Sequence, residues 1–157
     1  MLYLVRHAKA GSRQDWVGDD RERPLTAFGR QQAEALRERL APLCTGLIIS
    51  SPYLRCVQTV QPLADRLGRS VAVDDRLAEE QGFSGALELL AELADGSVLC
   101  SHGDVIPETI DALVRRGCLV SGKPDWRKAS VWVLHREADG TITRAGVWPP
   151  PEYLVVS

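Results

Sequence analysis

The sequence is poor in the features that assign a function most directly. Its four cysteines, at positions 44, 56, 100 and 118, form no Cys-x-x-Cys pair and stand at no zinc-finger spacing from a histidine. Each lies beside apolar residues, so reduced and buried thiols are expected in place of disulfides or metal ligands. No apolar run approaches membrane-spanning length, and the four residues between Met1 and Arg6 are too few for a signal-peptide core. A net charge of -2 provides no global field for nucleic acid or an anionic membrane, so any anion site has to be local. These absences lead to the expectation of a cytoplasmic protein without nucleic-acid or membrane partners.

Catalytic signatures are equally scarce. Three histidines, at 7, 102 and 135, include no His-x-x-x-His or Glu-x-x-His pair, and neither a metal nor another cofactor is expected. Gly82-Phe83-Ser84-Gly85 fails the spacing of a serine-hydrolase elbow, and no Gly-x-x-x-x-Gly-Lys phosphate loop is present. There is no internal repeat, and the only biased stretch is Pro149-Pro150-Pro151.

What remains is an ordinary globular composition, 45% hydrophobic and 25% charged, in a chain large enough for one core without staples. A single domain over residues 1–157 is expected. Short apolar runs at Leu2–Val5, Leu47–Ile49, Val71–Val73 and Ser97–Ser101 read as strands. Between them lie amphipathic helices, one capped by Thr26 with Ala33, Leu36 and Leu40 on its apolar face, one over about 53–67 kinked or broken at Pro62, and others over about 86–94 and up to Arg116. Residues 129–134 and 141–147, around Ala138-Asp139-Gly140, read as an antiparallel hairpin at the sheet edge. A proline-led tail follows, with Tyr153 and Leu154 available to pack on the body. The alternation predicts an α/β fold of three layers, α/β/α, with a mostly parallel sheet.

Two strands run directly into a histidine. The first ends at Arg6-His7 and the fourth at His102-Gly103, and ligands of open α/β sheets bind outside such strand ends. A guanidinium clamps phosphate oxygens in a fork, while a neutral imidazole nitrogen is able to attack phosphorus. Gly103 allows backbone to approach a ligand closely, and the helix after it turns free amides toward an anion. Arg55 follows the second strand at a comparable position. Residues 9 to 24 form a long loop carrying Lys9, Arg13 and Trp16, in which Asp19 to Arg23 reads as a solvated mixed-charge turn. His135, beside Arg136 and Glu137, is expected at the surface.

Four blocks, Leu4-Val5-Arg6-His7-Ala8, Pro24-Leu25-Thr26-x-x-Gly29-x-x-Gln32-Ala33, Ser50-Ser51-Pro52-x-x-Arg55-x-x-x-Thr59 and Ser101-His102-Gly103, together resemble the histidine phosphatase superfamily, the phosphoglycerate-mutase-like fold. The Arg-His-Ala-Lys-Ala-Gly-Ser form is similar to the small SixA-like phosphatases, and equally to the phosphatase domain that follows a Nudix hydrolase domain in some actinobacterial proteins. The resemblance implies that His7 is a nucleophile forming a phosphohistidine, that Arg6 and Arg55 bind phosphoryl oxygens and that His102 donates to them, without metal. It also implies a general acid, for which Leu77-Ala78-Glu79 fits and Glu80 is adjacent. Where many members carry a Thr, Ser or Asn the chain has Ala10, so Lys9 or Ser12 is expected to supply that phosphate contact. The implied partner is a phosphorylated small molecule or a phosphohistidine protein, with a nucleotide or polyphosphate as the alternative; Lys123, Arg127 and Lys128 add positive charge for it, and Trp16 and Trp126 are stacking candidates. A non-catalytic phospho-ligand-binding module on the same fold is the remaining alternative.

Overall fold

The computed structural model describes residues 1–152. In order the chain forms β1 (Leu2–Arg6), α1 (Ala27–Leu40), β2 (Ile48–Ser50), α2 (Leu54–Leu67), β3 (Ala72–Val73), α3 (Ser84–Glu92), β4 (Val98–Ser101), α4 (Val105–Arg115), β5 (Leu119–Val120), β6 (Val131–Arg136) and β7 (Ile142–Trp148). Single 3-10 turns occupy Asp20–Glu22 and Asp75–Leu77. The strands make one sheet in the order β3-β2-β4-β1-β6-β7-β5. The pairs β2·β3, β2·β4, β1·β4 and β5·β7 are parallel, and β1·β6 and β6·β7 are antiparallel.

The layering follows from alternation along the strands. Leu2 and Leu4 of β1 pack with Leu99, Trp132 and Leu134 against Leu89, Leu90, Ile106, Ile110 and Leu113 of α3 and α4. Tyr3 and Val5 point the other way, into a second core with Ile48, Val98 and Val131 against Leu36 and Leu40 of α1 and Val60 and Leu63 of α2. Each face of the sheet is therefore covered by two helices. The expected three-layer, mostly parallel α/β architecture is present, with the antiparallel β6–β7 hairpin on one side of the sheet.

Some expectations need adjustment. α2 continues through Pro62 without a break, because Thr59, Val60, Leu63 and Ala64 are buried around it and hold the backbone that lacks one hydrogen bond. β5 escapes a pattern-based reading because it is two residues long, yet it closes the sheet outside β7. Tyr153 and Leu154 lie outside the described residues. No described helix is long and apolar enough to cross a membrane.

α1 fixes the loop after β1. Thr26 caps it by accepting the Gly29 amide at 3.0 Å, and the Thr26 amide donates to the Lys9 carbonyl at 3.0 Å. A Cβ on Gly29 would stand 2.0 Å from that carbonyl oxygen. Alanine in a helix interior ordinarily gains up to ~1 kcal/mol over glycine. Here backbone overlap costs about 1–3 kcal/mol and outweighs the gain, so Gly29→Ala is expected to lower the thermal midpoint; an unchanged or raised midpoint in calorimetry would contradict the contact.

Candidate active site

The site is assembled by three neighbouring parallel strands. In the sheet β4 lies between β1 and β2, with Arg6 opposite Ser101 and Ser50 opposite Cys100. The His7 amide donates to the Ser101 carbonyl at 3.1 Å, and the Ser51 amide to the Cys100 carbonyl at 3.0 Å. His7, His102 and the start of α2 therefore leave the sheet side by side at its carboxyl edge. The two imidazole rings stand 5.5 Å apart between centroids at 64°.

His7 is buried, and its Nδ1 lies 2.8 Å from the Ala8 carbonyl oxygen. A carbonyl only accepts, so Nδ1 carries the proton and Nε2 keeps its lone pair. Burial first, then the charges of His102, Arg55 and Arg6, hold the imidazole down at about 3, against a weaker upward pull from the Ala8 bond. The ring is neutral across the physiological range. The peptide that orients it is fixed in turn, since the Ala8 amide donates to Thr59 Oγ1 at 2.9 Å and Thr59 Oγ1 donates to the Arg55 carbonyl at 2.7 Å.

Arg6 donates through Nη1 to the Trp126 carbonyl, and its guanidinium passes directly over Gly103. A Cβ at residue 103 would lie 2.6 Å from Arg6 Cζ, so glycine makes room for the arginine as well as for a ligand. Arg55 has a fully buried side chain. Its Nη1 donates to the Asp20 carbonyl at 2.9 Å, and its Nη2 to Asp20 Oδ2 at 3.1 Å and Glu79 Oε1 at 2.6 Å. Nε of Arg6 and Nε of Arg55 are both buried with no hydrogen-bond partner among the described residues.

His102 sits between Ser51 and Glu79. Its Nε2 is 2.8 Å from Ser51 Oγ, its Nδ1 is 3.4 Å from Glu79 Oε1, and the Tyr53 ring packs edge-on at 4.8 Å. Glu79 also accepts from Arg13 Nη2 at 3.1 Å. A cavity of about 650 Å³ is lined by Arg6, His7, Lys9, Ser12, Arg55, Glu79 and Gly103, with Glu80 and Lys128 among its further walls. Of the residues singled out in the sequence, Arg6, His7, Lys9, Ser12, Arg55, Glu79 and Gly103 share this cavity, whereas His102 is buried beside His7 and is not among the residues lining it. Ser12 and Lys9 are exposed, and Ser12 uses its carbonyl to stop a turn through the amides of Asp15 and Trp16. Trp16 is bonded through Nε1 to the Asp19 carbonyl, and Trp126 stacks on buried Trp132 at 4.9 Å. Among the described residues no group of three or more His, Cys, Asp or Glu is arranged to hold a metal ion.

The stretch Asp19 to Arg23 is a turn solvated only in part: Asp19, Arg21 and Glu22 are exposed, whereas Asp20 and Arg23 face inward. Asp19 caps a 3-10 turn by accepting the Arg21 amide at 2.9 Å, which drops Asp20 onto Arg55 and buries Arg23, whose Nε donates to Asp20 Oδ1 at 2.9 Å. The mixed charges look outward in sequence because their partner, Arg55, is 35 residues away. Ser51, Thr59 and Cys56 also belong to the site. Cys56 Sγ is 3.5 Å from His102 Nε2, and although burial opposes ionisation, the Cys100 thiol and His102 hold its thiol below the ordinary range.

A model of the histidine phosphatase superfamily (branch 1) matches residues 2–83, just over half of the chain. The chain belongs to the histidine phosphatase superfamily. It is 36% identical over 157 residues to an 8-oxo-(d)GTP phosphatase of Mycolicibacterium smegmatis, covering 96% of this chain and 48% of that protein. The chain thus spans about half the length of this relative. Its fold is shared with the protein histidine phosphatase SixA complexed with tungstate, at a TM-score of 0.71 and 20% identity over 90% of this chain and 92% of that one. A mycobacterial glucosyl-3-phosphoglycerate phosphatase complexed with VO3 superposes at a TM-score of 0.65 and 21% identity, over 96% of this chain and 99% of the other.

The buried His7 also gives a pH dependence of stability. Unfolded, the imidazole titrates at its ordinary 6.5, and folded at about 3. Between those values the unfolded chain binds a proton that the folded one does not, so this group's share of stability is complete above 6.5 and is lost as pH falls toward 3. Urea unfolding at pH 7 and pH 4.5 should therefore show a larger loss for the wild type than for His7→Asn; equal losses would contradict the buried neutral ring.

Proposed function

We propose that the domain is a phosphatase that transfers a phosphoryl group to Nε2 of His7 and then to water. The observation that carries this reading is the state of His7: a buried, uncharged imidazole whose proton is pinned on Nδ1 by the Ala8 carbonyl, leaving the other nitrogen as a lone-pair donor. Arg6 and Arg55 flank it as permanent cations and take phosphoryl oxygens through donors that the protein leaves unpaired, including both Nε atoms. His102 stabilises the charge that grows on those oxygens. Phosphoryl transfer is governed by positioning and by positive groups around the equatorial oxygens, and two arginines with two histidines supply both. Thr59 acts one step back, because it ties the peptide that orients His7 to the backbone of Arg55.

The substrate class on this reading is a phosphorylated small molecule or a phosphohistidine on a protein. A nucleotide is the second reading, favoured by the likeness to the M. smegmatis 8-oxo-(d)GTP phosphatase over nearly the whole of this chain. A domain that only binds phospho-ligands has no need of a nucleophile held neutral.

Rapid-quench incubation with a radiolabelled aryl phosphate is expected to trap an acid-labile, base-stable phosphoenzyme in the wild type and none in His7→Asn. Steady-state turnover in that variant should fall by about 10⁴-fold or more, the scale of removing a nucleophile. Retention of label or of turnover by His7→Asn would overturn the assignment.

A further inference from the structure

Among the described residues, six cationic and three acidic side chains line the cavity at His7, so a phosphoryl group on Arg6 and Arg55 leaves positive charge over. Arg23 and Arg13 are bonded to carboxylates. Lys9 and Lys128 are not: neither makes an ion pair among the described residues, and Lys9 contacts the Phe28 ring at 5.8 Å. Both lysines also line an adjoining cavity of about 540 Å³, with Arg6 shared between the two and Glu152 the only acidic residue on its wall among the described residues. Arg127, on the same wall, is engaged by Asp125 at 2.6 Å. Lys128 is half-buried, and burial, together with Arg6, Arg23, Lys9 and Arg55, disfavours its charged form. An anion placed there relieves that repulsion.

A second, independent observation concerns the departing oxygen. Glu79 forms ion pairs through Oε1 with Arg55 at 2.6 Å and Arg13 at 3.1 Å, so its carboxyl group is turned to two guanidiniums and not to a departing oxygen. Glu80 and Asp104 are exposed, and Asp104 accepts the Glu80 amide at 2.8 Å. An alkyl ester, whose alkoxide must be protonated as it departs, is poorly served by this site. A phosphate leaving from an anhydride departs without a proton.

We infer that the substrate is a phosphoanhydride, such as a nucleoside diphosphate, whose terminal phosphate meets His7 while its penultimate phosphate is held by Lys9 and Lys128. This rests on the His7 reading and adds to it the class of leaving group. In the first step Nε2 forms a bond to the terminal phosphorus, the bond from that phosphorus to the bridging oxygen breaks, and the electron pair stays on that oxygen. The product is a phosphate monoester, and Nδ1 keeps its proton on the Ala8 carbonyl. In the second step a water oxygen bonds to phosphorus, the P–N bond returns its pair to Nε2, and one proton of the water goes to solvent.

The test compares ADP, p-nitrophenyl phosphate and glycerol 2-phosphate as substrates of the full chain. The expected order of kcat/KM is ADP first, the aryl ester next and the alkyl ester last. Lys128→Gln should lose about tenfold more kcat/KM on ADP than on the aryl ester, mainly through KM, the scale of one charge-assisted contact. Lys128→Arg should restore most of it. Equal losses on both substrates, no loss on either, or an alkyl ester turned over as efficiently as ADP would overturn the inference. Absence of a labelled phosphoenzyme with every substrate would instead overturn the His7 reading itself.

Discussion

Arg55 carries a full positive charge with no solvent contact, and burying a charge is tolerable only where bonds and counter-charges replace its water. Those replacements come from Asp20 in the loop after β1 and Glu79 in the turn after β3. Meeting one guanidinium's requirement therefore draws three segments of the chain together. Asp20 extends the arrangement to Arg23, and Glu79 extends it to His102. The loop that sequence pattern alone leaves structureless is ordered because it is needed as a counter-ion.

The same network divides the labour around phosphate. Asp20 and Glu79 bond to the terminal nitrogens of Arg55 and leave Nε without a partner, while Trp126 takes one nitrogen of Arg6 and leaves its Nε likewise. Carboxylates around the arginines moderate the repulsion among clustered cations without occupying every donor. Neutral His7 is the corollary. A ring already surrounded by Arg6, Arg55 and His102 does not accept a further positive charge in a buried setting.

Much of this was legible in the sequence wherever residues act through local pattern. Alternation of Leu2 and Leu4 with Tyr3 and Val5 gave β1, and its abrupt end at Arg6-His7 marked the site; His102-Gly103 repeated the signal at β4. The Thr26 cap was equally local. What stayed hidden depends on distant partners. Asp20 and Arg23 have the composition of a solvated turn until Arg55 is placed beside them. Ser51 and Thr59 stand in conspicuous blocks, but a hydroxyl declares no role until its acceptor is known. Cys56 reads as an inert core thiol because nothing in the chain's order places it against His102. β5 is too short to carry a period at all.

One feature of the strand order bears on how the molecule comes into being. β1 comes before every other strand of the sheet in sequence, yet both of its neighbours, β4 and β6, begin only at residues 98 and 131. Its backbone amides and carbonyls have no ladder partner while the first half of the chain is being made. Residues 2–83, although they carry the family pattern, contain neither strand that borders β1. The nucleophile's strand is seated only when segments about a hundred residues further along have been made, and closing such long loops makes its docking a slow, late event in folding.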